Sequence, residues 1–411
     1  MPRNTAPAHF FVSLFMPILS VVIATHNRSA YAVHAAKSVL SINSPLIELV
    51  MHDTSTDGNL QNEILPLLVD ARLHYKHCAT RLSMTENHNL ALAMASGDYV
   101  CVVGDDDTVA AEILDAVQWA IEHKVDAISP KVVANYAWPD FLSKTFGRGH
   151  SSRLYINDFS SGIAYADCGK GLRDSLQMAC QGADGLPKIY HGIVRRAIME
   201  QVKAKTGEYF HGVSPDVSGA LGIAALTSSF AEIDYPLTIP GAAGNSNTGR
   251  SAMNSHRGNL EDDPHIKPYK NLVWPPLIPR FFSVETVWGQ AAYETLSKLD
   301  AAQLERFNFL HLYAICLVSH PDYYKEIFNA AMVYRQQYGR NATVTVVRVL
   351  MGAACIALAK AVRLAKRATR PSAAGGRFFI PDIPNIHAAS DALKAFLSKK
   401  STSFKGRSGN V

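Results

Sequence analysis

Two features of the sequence predict an α/β fold built on a mostly parallel sheet. Short apolar, β-branched runs alternate with helical stretches through roughly the first 130 residues, a rhythm that puts helices on both faces of a parallel sheet. Each run ends in a polar segment, and in such sheets ligands collect beyond the carboxyl ends of the strands. The last third reads mainly as helices, which predicts a mainly helical C-terminal region.

The first strand is expected over residues 18–24, apolar enough to be buried on both faces. The turn Thr25-His26-Asn27-Arg28 follows, with Ser29 as the expected cap of a helix burying Val33, Ala36 and Leu40. A second strand over 47–51 ends at His52-Asp53 and the turn-rich Thr54-Ser55-Thr56-Asp57-Gly58. Next come a helical stretch over 60–69, a short strand over 73–76, and a helix over 86–96 stopped by Gly97. The strand over 99–103 leads into Gly104-Asp105-Asp106-Asp107, then a helix over 109–123 burying Ile113, Val117 and Ile121. Thr25, Asn27, Asp53 and Asp105 to Asp107 therefore stand at strand ends on one edge of the sheet and should converge on one crevice.

Residues 129–184 carry no clear period, a pattern shared by acceptor-binding loops and by any irregular surface. Order returns over 190–202, in a helix over 215–227 and in a strand-like segment over 230–239. Residues 241–268, rich in Gly, Asn and Ser, read as a mobile loop. These readings divide the chain into a catalytic domain over 1–250, a mainly helical region over 251–397 and a polar basic tail over 398–411.

An apolar fraction of 48% over 411 residues excludes a disordered chain. The net charge of +5 is unevenly placed: residues 327–381 hold nine basic side chains and no acidic one, leaving the remainder net negative. No nucleic-acid partner is expected. Six scattered cysteines with no CxxC pair argue against structural zinc and suit a reducing compartment, hence a cytoplasmic protein. Pro17 interrupts the apolar run over 10–24 and no cleavage pattern follows, so it reads as a leader and first strand. Residues 349–359 are apolar or small, too short to span a bilayer, and basic residues recur at helical spacing from Lys360 to Arg370. Two readings fit: peripheral contact through 341–370 with the inner face of the plasma membrane, or a helix packed on the body with a solvated basic side.

The sharpest chemical signal is Gly104-Asp105-Asp106-Asp107 at a strand end. Adjacent carboxylates repel one another, and a hard divalent cation shared with substrate phosphate would relieve that repulsion. Helix capping alone explains one acidic residue of the three.

Four elements in order resemble the family 2 glycosyltransferases, which have the GT-A fold. They are the segment Ser20 to Arg28; His52-Asp53-Thr54-Ser55-Thr56-Asp57-Gly58; Ser83-Met84-Thr85-Glu86-Asn87 leading to Ala95-Ser96-Gly97-Asp98-Tyr99; and the aspartate cluster, which looks like the family's DxD element. The resemblance implies a GT-A-type Rossmann-like sheet, a nucleotide-diphosphate sugar donor, Mn²⁺ or Mg²⁺, and a glycan or lipid-linked acceptor, in bacterial surface polysaccharide or glycolipid synthesis. By the same resemblance Thr25 and Asn27 border base and ribose, Asp53 accepts a hydrogen bond from the base, and Asn87 belongs to the donor site. Asp105 lies near ribose or sugar, Asp106 binds the metal with Asp105 beside it, and Asp107 completes the cluster. The chain departs from the family pattern at Gly104 and His52, where carboxylates are common. Asp216, in Val213-Ser214-Pro215-Asp216-Val217, is the candidate base: Ser214 reads as an N-cap and Pro215 as the first helical residue, where the helix dipole favours an ionised carboxylate.

Two other functions share some of these features. A sugar nucleotidyltransferase would want a glycine-rich basic loop after the first strand, and Thr25-His26-Asn27-Arg28 is not one. A non-catalytic nucleotide-sugar-binding or scaffolding relative has less need of an intact aspartate cluster.

Overall fold

The structure, a computed structural model, describes residues 16–253, 256–369, 372–400 and Phe404. Its centre is an eight-stranded sheet. Four parallel strands, β1 (Leu19–Thr25), β2 (Ile47–Asp53), β3 (Leu73–His77) and β4 (Tyr99–Val103), lie in the spatial order β3-β2-β1-β4. Beyond β4 come Ile193–Arg195, antiparallel to its neighbours, then Ala127–Pro130, Ser229–Ile233 and the antiparallel edge strand Ile163–Asp167. The expected mostly parallel α/β architecture is present.

The strand sequences explain the layering. Side chains alternate between faces with a period of two, and here both faces are covered. Val21, Ile23, Leu49, Met51, Cys101 and Val103 feed one core. Their neighbours Val22, Val50, Val100 and Val102 feed the other. Helices Ser29–Leu40 and Ile386–Lys399 cover the first face. Helices Cys168–Gln177, Pro215–Ala224, Val284–Leu299 and Phe309–Ser319 cover the second. The segment 251–397, expected as one mainly helical region, thus contributes to both cores. All six cysteines are free.

Several local expectations change. Ser29 is the first residue of its helix rather than the cap; Arg28 holds the cap position without a side-chain cap bond, because a guanidinium has no acceptor to offer the first amides. The helix expected over 86–96 runs Met84–Leu92, set by a capping box between Ser83 and Glu86. Ile121 is 42% exposed in the last turn of its helix, while Ile113 and Val117 are buried. The strand-like run over 230–239 splits into Ser229–Ile233 and Thr238–Ile239 on either side of Pro236. Within 129–184 lie the paired strands Ala134–Ala137 and Arg153–Ile156, the edge strand Ile163–Asp167 and a helix. The Gly-rich stretch starting at 241 is held at its beginning: Gly241–Ala242 pairs with Ala134–Ala137, and Ser246 caps the short helix Asn247–Ala252. Of the expected tail, the described residues are Ser398 to Lys400, ending a helix, and the buried Phe404; the others lie outside the described residues.

Candidate active site

Strand register builds the site. Ile23 pairs with Val103 and Thr25 with Asp53, so two residues further along β4 bring Asp105 level with Thr25. The Thr25 hydroxyl donates to Asp105 Oδ2 at 2.6 Å. Arg28 joins the cluster from the same loop: its Nε donates to Asp105 Oδ1 at 2.7 Å, and its Nη2 lies 3.1 Å from Asp106 Oδ2. The guanidinium also lies over the Tyr31 ring at 4.7 Å and bonds Asn245.

The three aspartates do different things. Asp105 meets Thr25 and Arg28. Asp106 accepts from the Ala243 amide at 3.2 Å and, through its backbone carbonyl, from Trp138 Nε1 at 3.0 Å. Asp107 turns back into the protein, accepting from the Gly104 and Gly241 amides at 2.6 Å each, with His191 Nε2 at 3.0 Å. Their electrostatics differ accordingly. Burial and the neighbouring Asp107 push the Asp106 carboxyl up to about 8, against the pull of Arg28. Burial also raises Asp107, but His191 and the two amides outweigh it and hold that carboxyl below its usual range. Asp107 is thus an anchor for the loop at 241, and Asp106 is the carboxylate short of positive charge.

The remaining expected residues brace the strand ends. Asn27 adopts a left-handed φ of 53°, which Asn tolerates, and ties the two loops together by accepting from the Thr56 amide at 2.8 Å. Asn87 bridges His52 Nδ1 at 2.6 Å and the Thr25 carbonyl at 3.0 Å, so it fixes the ends of β1 and β2 from below. Asp53 is fully enclosed, accepting from the Ser55 amide at 2.8 Å and the Tyr75 hydroxyl at 2.7 Å. These two bonds shape the turn after β2.

Gly104 stands where the family pattern favours a carboxylate, and the reason is crowding. A Cβ there would lie 2.6 Å from the Tyr190 hydroxyl, 2.7 Å from Asp107 Oδ2 and 3.1 Å from Asp106 Oδ1. Tyr190 is held against β4 by an isolated bridge to Val102. Its hydroxyl pKa lies well above the ordinary value, through burial and then through Asp107, Asp106, Asp105 and Asp216.

That last carboxylate, Asp216, acts on Tyr190 together with the cluster. Ser214 and Pro215 start the helix Pro215–Ala224, and Asp216 lies in its first turn. The Ser214 hydroxyl makes no cap bond and donates to Asp216 Oδ1 instead. The preceding loop is fixed at every step. Phe210 N donates to Asn89 at 2.9 Å, His211 N to Ser218 at 2.8 Å, and Val213 N to Gln290 at 2.9 Å. Thr85 donates to the Gly212 carbonyl at 2.6 Å, and His265 Nε2 lies 2.7 Å from that of Val213. Asp216 therefore rests on a rigid support.

Two carboxylates, Asp105 and Asp106, converge on a single cationic group, and Asp106 retains a raised carboxyl pKa beside it. That donor set fits a hard divalent ion, which binds through one or two carboxylates plus substrate phosphate. Among the described residues no cluster of three or more ligating side chains occurs, so phosphate oxygens would have to complete the shell. Arg28, Tyr190, His191 and the 241–243 backbone were not assigned to the site from the sequence. Arg28 carried a usable signal, since adjacent carboxylates call for a nearby opposite charge.

Residues 20–176 match the family described as glycosyl transferase family 2. Glycosyltransferase GlyG of Streptococcus pneumoniae is 23% identical over 120 residues, 29% of this chain and 39% of GlyG. WcaA of Escherichia coli is 30% identical over 92 residues, 22% of this chain and 33% of WcaA. The chain thus spans well under half the length of the curated relatives it matches. Among solved structures, residues 1–349 of Staphylococcus aureus TarS with UDP-GlcNAc align at a TM-score of 0.43 and 16% identity, over 78% of this chain and 92% of that one. The mannosyltransferase PcManGT of Pyrobaculum calidifontis, with GDP-Man and Mn²⁺, aligns at 0.37 and 16%, over 84% and 88%.

Proposed function

We propose, on the premise that residues 20–176 belong to glycosyl transferase family 2, that the chain is an inverting glycosyltransferase using a nucleotide-diphosphate sugar. The observation that carries this reading is the meeting of Thr25 and Arg28 with Asp105 and Asp106 at the ends of β1 and β4. Arg28 is placed to follow the diphosphate once it enters, since a guanidinium matches carboxylate and phosphate alike. A divalent ion held by Asp106, with Asp105 beside it, would offset the negative charge gathered on the departing diphosphate.

Inversion needs one displacement. The acceptor hydroxyl oxygen forms a bond to the anomeric carbon as the bond from that carbon to the diphosphate breaks, with its electron pair leaving on phosphate. The acceptor proton passes to a carboxylate, and Asp216 is the assigned base. The acceptor is a glycan or lipid-linked hydroxyl, in keeping with surface polysaccharide or glycolipid synthesis.

The test is hydrolysis of UDP-, GDP-, dTDP- and CMP-sugars by the purified chain in Mn²⁺ and in EDTA. Mn²⁺-dependent release of free nucleotide from one donor is the expected result. Turnover unchanged in EDTA removes the metal, and no turnover or thermal stabilisation with any donor removes the enzyme reading.

A further inference from the structure

The helix Ala342–Ala368 is 27 residues long, about 40 Å. It packs on Phe309–Ser319 through Thr345, Val349 and Ala353. Directly opposite that packed side, at a period of 3.6, run Val344, Val347, Met351, Ala354, Leu358 and Val362, all exposed. Its apolar 18-residue window has a mean hydropathy of 2.0, yet only 17% of it is buried. It is neither a core helix nor near the N-terminus. Exposed apolar stripes of this length on a soluble surface mark an interaction face.

Charge selects the occupant. Arg348 and Lys366, about five turns apart, share one flank of the stripe. Residues 327–381 hold no acidic side chain at all. A second copy of this face would set basic flank against basic flank, whereas an anionic lipid surface complements both stripe and flank. Arg348 lies beside the stripe in the second turn of the helix and one side is packed on the body, so the helix fits the plane of a membrane interface rather than a span. Its basic end reaches the substrate side of the molecule: Arg367 lies 5.1 Å over the Phe146 ring, in the loop that follows Asp140. Asp140 in turn accepts from Tyr31 and from the Gly244 amide at the rim of the site.

We infer that helix Ala342–Ala368 seats this protein on an anionic lipid surface, with its Val347–Met351–Leu358–Val362 stripe in the interface and Arg348 and Lys366 on headgroups. This surface is independent of the catalytic assignment. The test is flotation of the full chain with phosphatidylglycerol/phosphatidylcholine vesicles and with phosphatidylcholine alone, at low and high salt. The intact chain should float with anionic vesicles at low salt and be released by high salt. Leu358→Glu with Val362→Glu, both exposed positions, should abolish flotation at unchanged Tm and unchanged mass by light scattering. Arg348→Gln with Lys366→Gln should weaken it about thirtyfold, at about 1 kcal/mol per basic residue. An intact chain that ignores anionic vesicles, or a stripe variant that still floats, overturns the proposal. So does an intact dimer that the stripe variant splits to monomers, which would make this face a self-interface.

Discussion

Arg28 donates to the Asp105 carboxylate at 2.7 Å across 77 residues of chain, and the same guanidinium reaches Asp106. With both carboxylates nearly buried, Arg28 is the cation that makes their proximity tolerable. Arg28→Met should therefore cost about 3 kcal/mol of stability in EDTA, because it leaves two carboxylates without their partner. Mn²⁺ should restore more of the lost Tm in the variant than it adds to the wild type. Equal Tm losses with and without Mn²⁺, followed by scanning fluorimetry, would separate Arg28 from the cation site.

Asp106 offers a pH test with a defined sign. Burial and Asp107 raise its carboxyl to about 8, against about 3.9 in an unfolded chain. The folded chain then binds this proton more tightly than the unfolded one. The stability it gives is complete below the unfolded value and lost as pH rises through about 8. In EDTA the wild-type Tm should fall between about pH 6 and about pH 8.5, and Asp106→Asn, with no proton to lose, should be flatter there. The variant should keep its fold and lose transfer. Full activity in it would remove Asp106 from the mechanism.

Gly104 and Tyr190 form a pair that a double-mutant cycle can read. Gly104→Ala places a methyl 2.6 Å from the Tyr190 hydroxyl and 2.7 Å from Asp107, so the loop must shift and donor affinity should drop about tenfold or more. Tyr190→Phe removes one of the two clashing atoms. The double variant should recover part of the loss, which gives a coupling energy of opposite sign to the single effects. Purely additive effects would show that the crowding is relieved elsewhere.

The sequence made this site half legible, for physical reasons. β1, β2 and β4 stood out because strands buried on both faces need unbroken apolar runs such as Val21-Val22-Ile23 and Val100-Cys101-Val102-Val103. Their polar ends followed from the topology, and so did the neighbourhood of Thr25 and Asp105. The partners of those residues did not. His191 reaches Asp107 from 84 positions away along the chain and Ala243 reaches Asp106 from 137 positions away, and neither segment has a local pattern that announces this. Asp53 stands at a strand end as its sequence pattern implies, but its bond from Tyr75 on the neighbouring β3 has no local signal. Ile121 shares the face of Ile113, Leu114 and Val117 but stands in the last turn of the helix, where it is exposed.

Asp216 is the sharpest remaining test, because its support and its chemistry separate cleanly. The carboxylate accepts from Ser214 and from the Val217 amide, and an amide oxygen at the same place can accept the same bonds. Asp216→Asn should therefore leave the helix Pro215–Ala224 and the Tm essentially unchanged. The amide cannot take up a proton from an acceptor hydroxyl, so kcat should fall by a factor of about 10² to 10⁴. A base that touches only the acceptor leaves donor binding alone, so donor KM should stay within about twofold, since uniform binding is untouched. Donor hydrolysis by water should fall less than transfer, because adventitious water has alternative proton acceptors in bulk solvent. A rise in donor KM with kcat preserved would place Asp216 among the donor contacts and leave the base to be found elsewhere.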